Sequence, residues 1–128
     1  GFKGSLHNLA HGWNKPEGAE KLGRWDRFMA EQLSHFLDRL ASAKEGDGSL
    51  LDNSVVLYGS SNSNTHNNNN YPLVLAGGEQ LGLEHGRFLK FGAEVPMSNL
   101  FVTMLNCVGA KTNSFGDSTG SLDDLLHA

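Results

Sequence analysis

SVVLYG, residues 54–59, is the stretch that decides the predicted fold class. Its apolar residues follow one another without alternation, which is typical of a strand buried on both faces in a parallel sheet. A second apolar run, residues 71–76, ends at Gly77 and Gly78 and predicts another strand, with Pro72 at its entry. The segment between the two runs, from Ser60 to residue 70, is wholly polar.

Helices are predicted on both sides of these strands. Asn14 suits an N-cap and Pro16 a first helical turn, so a long helix is expected from there to the turn-forming run at residues 44–48. Its apolar residues recur every three or four positions and form one stripe: Leu22, Trp25, Met29, Leu33, Phe36 and Leu40. A second helix is predicted from Pro96 to Gly109. Residues 1–13 are predicted as a loop and residues 81–91 as a ribbon or hairpin arm.

The size and charge of the chain restrict the function classes. Its 128 residues make one domain or part of one. With 10 basic and 14 acidic residues the net charge is −4, which argues against nucleic acid or anionic lipid as the main partner. The apolar runs are too short to cross a bilayer. We expect residues 1–128 to form a single partial α/β domain, the C-terminal part of a longer chain, because two strands cannot complete a sheet.

The polar segment after the first strand is the main candidate site, since functional groups gather past the carboxyl ends of strands in open α/β sheets. His66 is its only titratable side chain and suits metal binding or general acid–base catalysis. The neutral side chains expected to bind substrate oxygens are Ser61, Asn62, Asn64 and Asn67. The alternative is a solvated loop whose Asn side chains bind its own backbone in Asx-turns.

His7 and His11 are separated by three residues. On a helix this spacing places both imidazoles on one face, as metal ligation requires, although a loop can also bring them together. The alternative is a pair of exposed polar side chains, or a histidine that caps the following helix. Cys107 lies in an apolar run and is expected to behave as a small buried hydrophobe.

Several stretches resemble the C-terminal part of a bacterial family of unknown function that is named for its HXXSHH motif. They are residues 51–60, 65–78 and 115–120, together with the two predicted helices. The name motif falls on residues 7–12, where the first two histidines match, Ala10 replaces Ser and Gly12 replaces the last His. The resemblance implies an exported protein of the periplasm or cell surface, several times longer than this chain.

A more distant resemblance is to the sulfatase and alkaline phosphatase superfamily. It implies a mostly parallel sheet flanked by helices and a metal site at the end of the buried strand. Ser60, Ser61 and Asn62 stand where that superfamily has an Asp-His pair. The loop contains no carboxylate, which disfavours calcium or magnesium; a zinc-like site of His7, His11 and His66 and a neutral hydrogen-bonding pocket both stay open.

Two hypotheses of function follow. In the first, a divalent transition metal such as zinc on these histidines supports hydrolysis of a phosphate or sulfate ester, with His66 as catalytic residue. In the second, the chain is a non-catalytic surface or periplasmic protein, and the Asn- and Ser-rich loop binds a glycan or a protein partner. The remainder of its own chain is an expected partner in both.

Overall fold

The two predicted strands pair with each other. The computed structural model describes residues 4–60, 62–63 and 66–127. Strand β3 is Val56–Gly59 and strand β4 is Leu73–Ala76, and they pair antiparallel with Val56 opposite Ala76 and Gly59 opposite Leu73. Within the described residues, the one other sheet is a two-residue hairpin, β1 (Lys44–Glu45) with β2 (Gly48–Ser49).

The predicted mostly parallel, sulfatase-like sheet is therefore wrong. No parallel pair occurs among the described strands, and the residues of β3 are half-buried or exposed, not enclosed on both faces. The physical reason is that a short continuous apolar run does not distinguish a doubly buried strand from one arm of a hairpin. Because the polar segment only has to reverse the chain, β4 returns beside β3 without the crossover that parallel pairing needs.

The chain divides into two compact units, Gly1–Arg39 and Leu40–Ala128. In the first, the predicted loop is wrong in part, because Leu6–His11 form a short helix, α1. Ser5 is its N-cap, and its Oγ accepts a hydrogen bond from the Asn8 amide, which satisfies one of the unpaired amides of the first turn. The Ser5 hydroxyl therefore caps the start of a helix that the apolar periodicity of the sequence does not predict.

The predicted long helix is confirmed as α2, Gly18–Ser42. Its start lies two residues beyond Pro16, since Glu17 has a left-handed backbone with φ 58°. Exposed ion pairs between residues four apart, such as Arg27 with Glu31, occupy its polar surface. The apolar stripe is half-buried, apart from Phe36, which is 50% exposed. None of the described helices is long and apolar enough to span a bilayer.

The second unit is built around α3, Ser98–Cys107, which confirms the second predicted helix. Leu100, Val102 and Thr103 are buried there, together with Leu83, which is fully covered. Residues 81–91 do not form the predicted ribbon. Glu79–Leu81 make one turn of 3-10 helix, Leu83 forms an isolated bridge with Leu126, and the chain then continues without regular structure to α3.

Polar side chains of α3 hold the C-terminal segment. Thr103 Oγ1 accepts from the Leu122 amide at 2.7 Å, and Asn99 Oδ1 accepts from the Thr119 amide at 2.8 Å. Ser98 Oγ donates to Asp117 Oδ1 at 2.6 Å. All three are part-buried bonds, which makes them costly to lose. The turn-rich tail is thus fixed by hydrogen bonding to one helix.

Candidate functional site

The polar segment is the loop at the tip of the β3–β4 hairpin. It is closed by its own polar groups: the Ser63 amide donates to the Asn67 carbonyl at 2.8 Å, and the Asn69 amide donates to Asn67 Oδ1 at 2.9 Å. Ser60 Oγ accepts from the Asn62 amide at 3.2 Å and donates to the Asn62 carbonyl. The Asx-turn alternative is therefore observed at Asn67.

The sequence-predicted site residues of this loop are exposed where they are described. Asn62, His66 and Asn67 all face solvent, and His66 has a left-handed backbone with φ 60°. Ser61 and Asn64, the other two residues predicted to bind substrate, lie outside the described residues. The prediction that these side chains bind substrate, with His66 as catalytic residue, stays a prediction.

A groove of about 590 Å³ lies beside the loop, within the second unit. One wall is the face of the hairpin that carries Leu57, Leu73 and Leu75. The other wall is the irregular segment 84–97, followed by Leu100 of α3. This volume falls within the range of small-molecule sites, which are mostly apolar with a few placed polar groups.

The end of the polar loop lines this groove. Asn70, Tyr71 and Pro72 belong to its lining, and the Tyr71 hydroxyl donates to the Met97 sulfur at 2.8 Å. That hydrogen bond ties the loop exit to the segment that precedes α3. The groove and the Asn-rich loop therefore form one continuous surface, and its polar end is made of neutral groups.

Two phenylalanines on segment 84–97 are exposed, and Phe88 is unusually so. Phe88 is 90% exposed and Phe91 is 36% exposed, and both line the groove. Aromatic rings are normally at least half covered in a folded chain, and exposed apolar groups that gather beside polar ones mark interaction surfaces. Sequence reasoning missed this site because the pattern of residues 81–91 predicts only an arm. Phe88 and Phe91 lie between two glycines and fit no helix or strand pattern, and this was the one sequence feature that could have indicated the site.

The charges of the groove are largely paired. Of the described residues that line it, Glu84 is the one acid, and its carboxylate lies 2.9 Å from the Arg87 guanidinium. Arg87 also donates to the Asp124 carbonyl at 2.5 Å. The His85 ring bonds to the Gly77 carbonyl at 2.6 Å. Lys90 is exposed and adds a positive charge at the rim.

His7 and His11 lie together on α1, in the first unit. Their ring centroids are 4.5 Å apart and both residues are exposed. The structure thus brings together two of the three predicted metal ligands. His66 belongs to the other unit, and the joint three-histidine site stays a prediction. Across residues 4–60, 62–63 and 66–127, no three His, Cys, Asp or Glu side chains group closely enough to hold a metal ion.

No known protein family, curated protein or solved structure matches this chain. The resemblance to the HXXSHH family accordingly stays a prediction.

Proposed function

We propose that the second unit is a non-catalytic binding module that takes a neutral carbohydrate into its groove. The observation that carries this proposal is the groove mouth, where the loop residues Asn70 and Tyr71 share one lining with Phe88 and Phe91. An exported location, in the periplasm or at the cell surface, is part of the same proposal.

Carbohydrates present apolar C–H faces and a dense set of hydroxyls. The flat faces of Phe88 and Phe91 suit the first, since aromatic rings contribute a large apolar area in a fixed shape. Hydroxyls both donate and accept, and an Asn side chain does the same through its NH₂ and its carbonyl oxygen. Phe88 and Phe91 of segment 84–97 and Asn70 at the loop exit supply both kinds of contact on one surface.

The electrostatics of the groove support a neutral ligand. A phosphate or sulfate ester calls for several convergent cations or a metal, because desolvating its charge is costly. Here Arg87 is paired with Glu84 and bound to the Asp124 carbonyl, and Lys90 is the one other lysine or arginine among the described residues of the lining. The ester hydrolase hypothesis stays a prediction, and the parallel-sheet analogy behind it is wrong.

The described residues of the loop also support binding, because hydrogen bonds restrict their conformations. Ser60, Ser63 and Asn67 close the loop with hydrogen bonds between neighbouring residues. A loop held in one shape loses less conformational entropy on binding than a loose one. The hydrogen-bonded residues Ser60, Ser63 and Asn67 therefore have less conformational entropy to lose when a ligand binds.

The test is binding of the chain to a panel of neutral oligosaccharides (gluco-, manno-, cello- and chito-oligosaccharides), measured by saturation-transfer NMR and by calorimetry. The Phe88→Ala variant is expected to bind at least about tenfold more weakly, because covering a Phe ring is worth about 1.5–3 kcal/mol. Phe88 is 90% exposed, so its removal should leave the thermal midpoint unchanged.

Val74→Ala is the matched control. Val74 is 49% exposed and lies on the hairpin face opposite Leu73 and Leu75, away from the groove. It should bind like the unmodified chain. Equal weakening by both variants would place binding outside the groove, and failure of every oligosaccharide in the panel would refute the carbohydrate proposal.

A further inference from the structure

We propose that His7 and His11 form a two-histidine chelate for a borderline divalent transition-metal ion, Zn²⁺, Ni²⁺ or Cu²⁺, on the exposed surface of α1. The proposal concerns the first unit alone. It is independent of the carbohydrate proposal and needs no contribution from His66.

The spacing of the two rings matches the geometry of one shared ion. With metal–nitrogen bonds of about 2.0–2.1 Å, an ion lies about 3.2 Å from the centroid of each ligating ring. Two rings on one ion then have centroids about 4.5–5.2 Å apart for nitrogen–metal–nitrogen angles between about 90° and 109°. The observed separation of 4.5 Å falls at the short end of that range.

The helix holds the two rings on one face. His7 and His11 are four residues apart within Leu6–His11, and side chains at this spacing are neighbours on a helix surface. The two rings are tilted by 54° to each other, and binding of a shared ion requires only rotation of their side-chain torsions on this exposed face. Because the helix already holds the two rings close together, less conformational entropy is lost on chelation than for two distant histidines.

The donor set determines which ions are bound. Imidazole nitrogen suits copper, nickel and zinc, whereas calcium and magnesium prefer oxygen ligands. The expected order of affinity is Cu²⁺ first, then Ni²⁺ and Zn²⁺, with Mg²⁺ and Ca²⁺ not bound. The remaining coordination positions are open to water or to an exogenous donor, as in sites that keep exchangeable positions.

Metal binding should also stabilise α1. The helix has six residues and rests on the Ser5 cap and the turn at Gly12, and isolated helices of this length are marginal in water. An ion that bridges residues 7 and 11 closes a turn of the helix. Amide hydrogen exchange within α1 should therefore slow when Zn²⁺ is added, while exchange within α3 should not change.

The experiment is calorimetric titration of the 128-residue chain with Zn²⁺ and Ni²⁺, with Mg²⁺ as a negative probe. Line broadening by Cu²⁺ in amide NMR spectra then maps the site, and signals of residues 5–12 should broaden first. His7→Ala and His11→Ala should each lower the metal affinity at least about tenfold. Mutation of a group that only orients a metal ligand already lowers metal affinity about 10–100-fold.

Two controls separate the chelate from histidine content. The double variant His7→Ala/Ala10→His keeps all 6 histidines but places a pair at adjacent positions, which face different directions on a helix; it should bind as weakly as His7→Ala. His35→Ala, on α2, should bind like the unmodified chain. Binding that survives in both single variants, broadening centred elsewhere, or no Zn²⁺ or Ni²⁺ binding at all would overturn the proposal.

Discussion

Replacing Thr103 by Val tests whether α3 holds the C-terminal segment through hydrogen bonds. The Thr103 side chain is 2% exposed, and its Oγ1 accepts from the Leu122 amide at 2.7 Å while donating to the Asn99 carbonyl at 3.3 Å. Val has nearly the same shape but no hydroxyl. The substitution therefore leaves the Leu122 amide without its acceptor in a part-buried place.

Leaving a buried amide unpaired costs about 1–3 kcal/mol of unfolding free energy, and we expect the lower part of that range because the Leu122 amide is part-buried. For a chain of 128 residues, each kcal/mol lowers the Tm by about 3–5 °C. Thr103→Ser is the control, because it keeps the oxygen and loses one methyl group, at a cost of about 1 kcal/mol. Urea unfolding at fixed pH measures both variants.

Hydrogen exchange distinguishes the lost bond from the lost methyl group, because the two expected losses of unfolding free energy overlap. In Thr103→Val the Leu122 amide should exchange faster relative to core amides such as that of Val102, and in Thr103→Ser it should not. If the Leu122 amide keeps its protection in Thr103→Val, the bond is not what holds the tail. Equal acceleration of its exchange in both variants would refute the bond in the same way.

Two further outcomes are expected. Gly77→Ala should lose about 2 kcal/mol or more in urea unfolding, because Gly77 has φ 75° and an added Cβ would collide with the Ser54 carbonyl oxygen. Gly82→Ala, at φ 92° with open space around the position, should lose only the conformational part, about 1–2 kcal/mol, so an equal loss at both glycines would contradict the packing argument. Asp52 accepts hydrogen bonds from the Ser49 amide and hydroxyl at 2.8 Å, which lowers the pKa of its carboxyl below the usual value. Its contribution to stability is present above the unfolded-state pKa and is lost as pH falls through the folded-state pKa. The Tm difference between Asp52→Asn and the unmodified chain should therefore be full at about pH 7 and shrink as the pH falls below about 4; a constant difference would contradict this.

The candidate site was predictable only in part. The polar segment between the strands is visible in the sequence, and so is the spacing of His7 and His11. The groove is not, because it depends on segment 84–97 lying along the hairpin face that carries Leu57 and Leu75. That segment has no periodicity, and its course is set by distant partners such as the bridge between Leu83 and Leu126.

The sequence by itself determined the local structure of the chain. Apolar residues at helical spacing specify α2 and α3, because each turn of a helix must present the same face to its neighbours. Gly77 and Gly78 end β4 with left-handed backbone, which only glycine adopts at little cost. These features depend on residues close together in sequence.

Only the tertiary structure decided strand direction and the lining of the groove. A run such as residues 54–59 can pair on either side and in either direction, since its backbone groups are the same in both. The direction of strand pairing depends on the whole second unit. There β4 forms hydrogen bonds with the backbone of β3, and the C-terminal segment is hydrogen-bonded to α3. The free energy of pairing between distant segments cannot be predicted from any single short stretch of sequence.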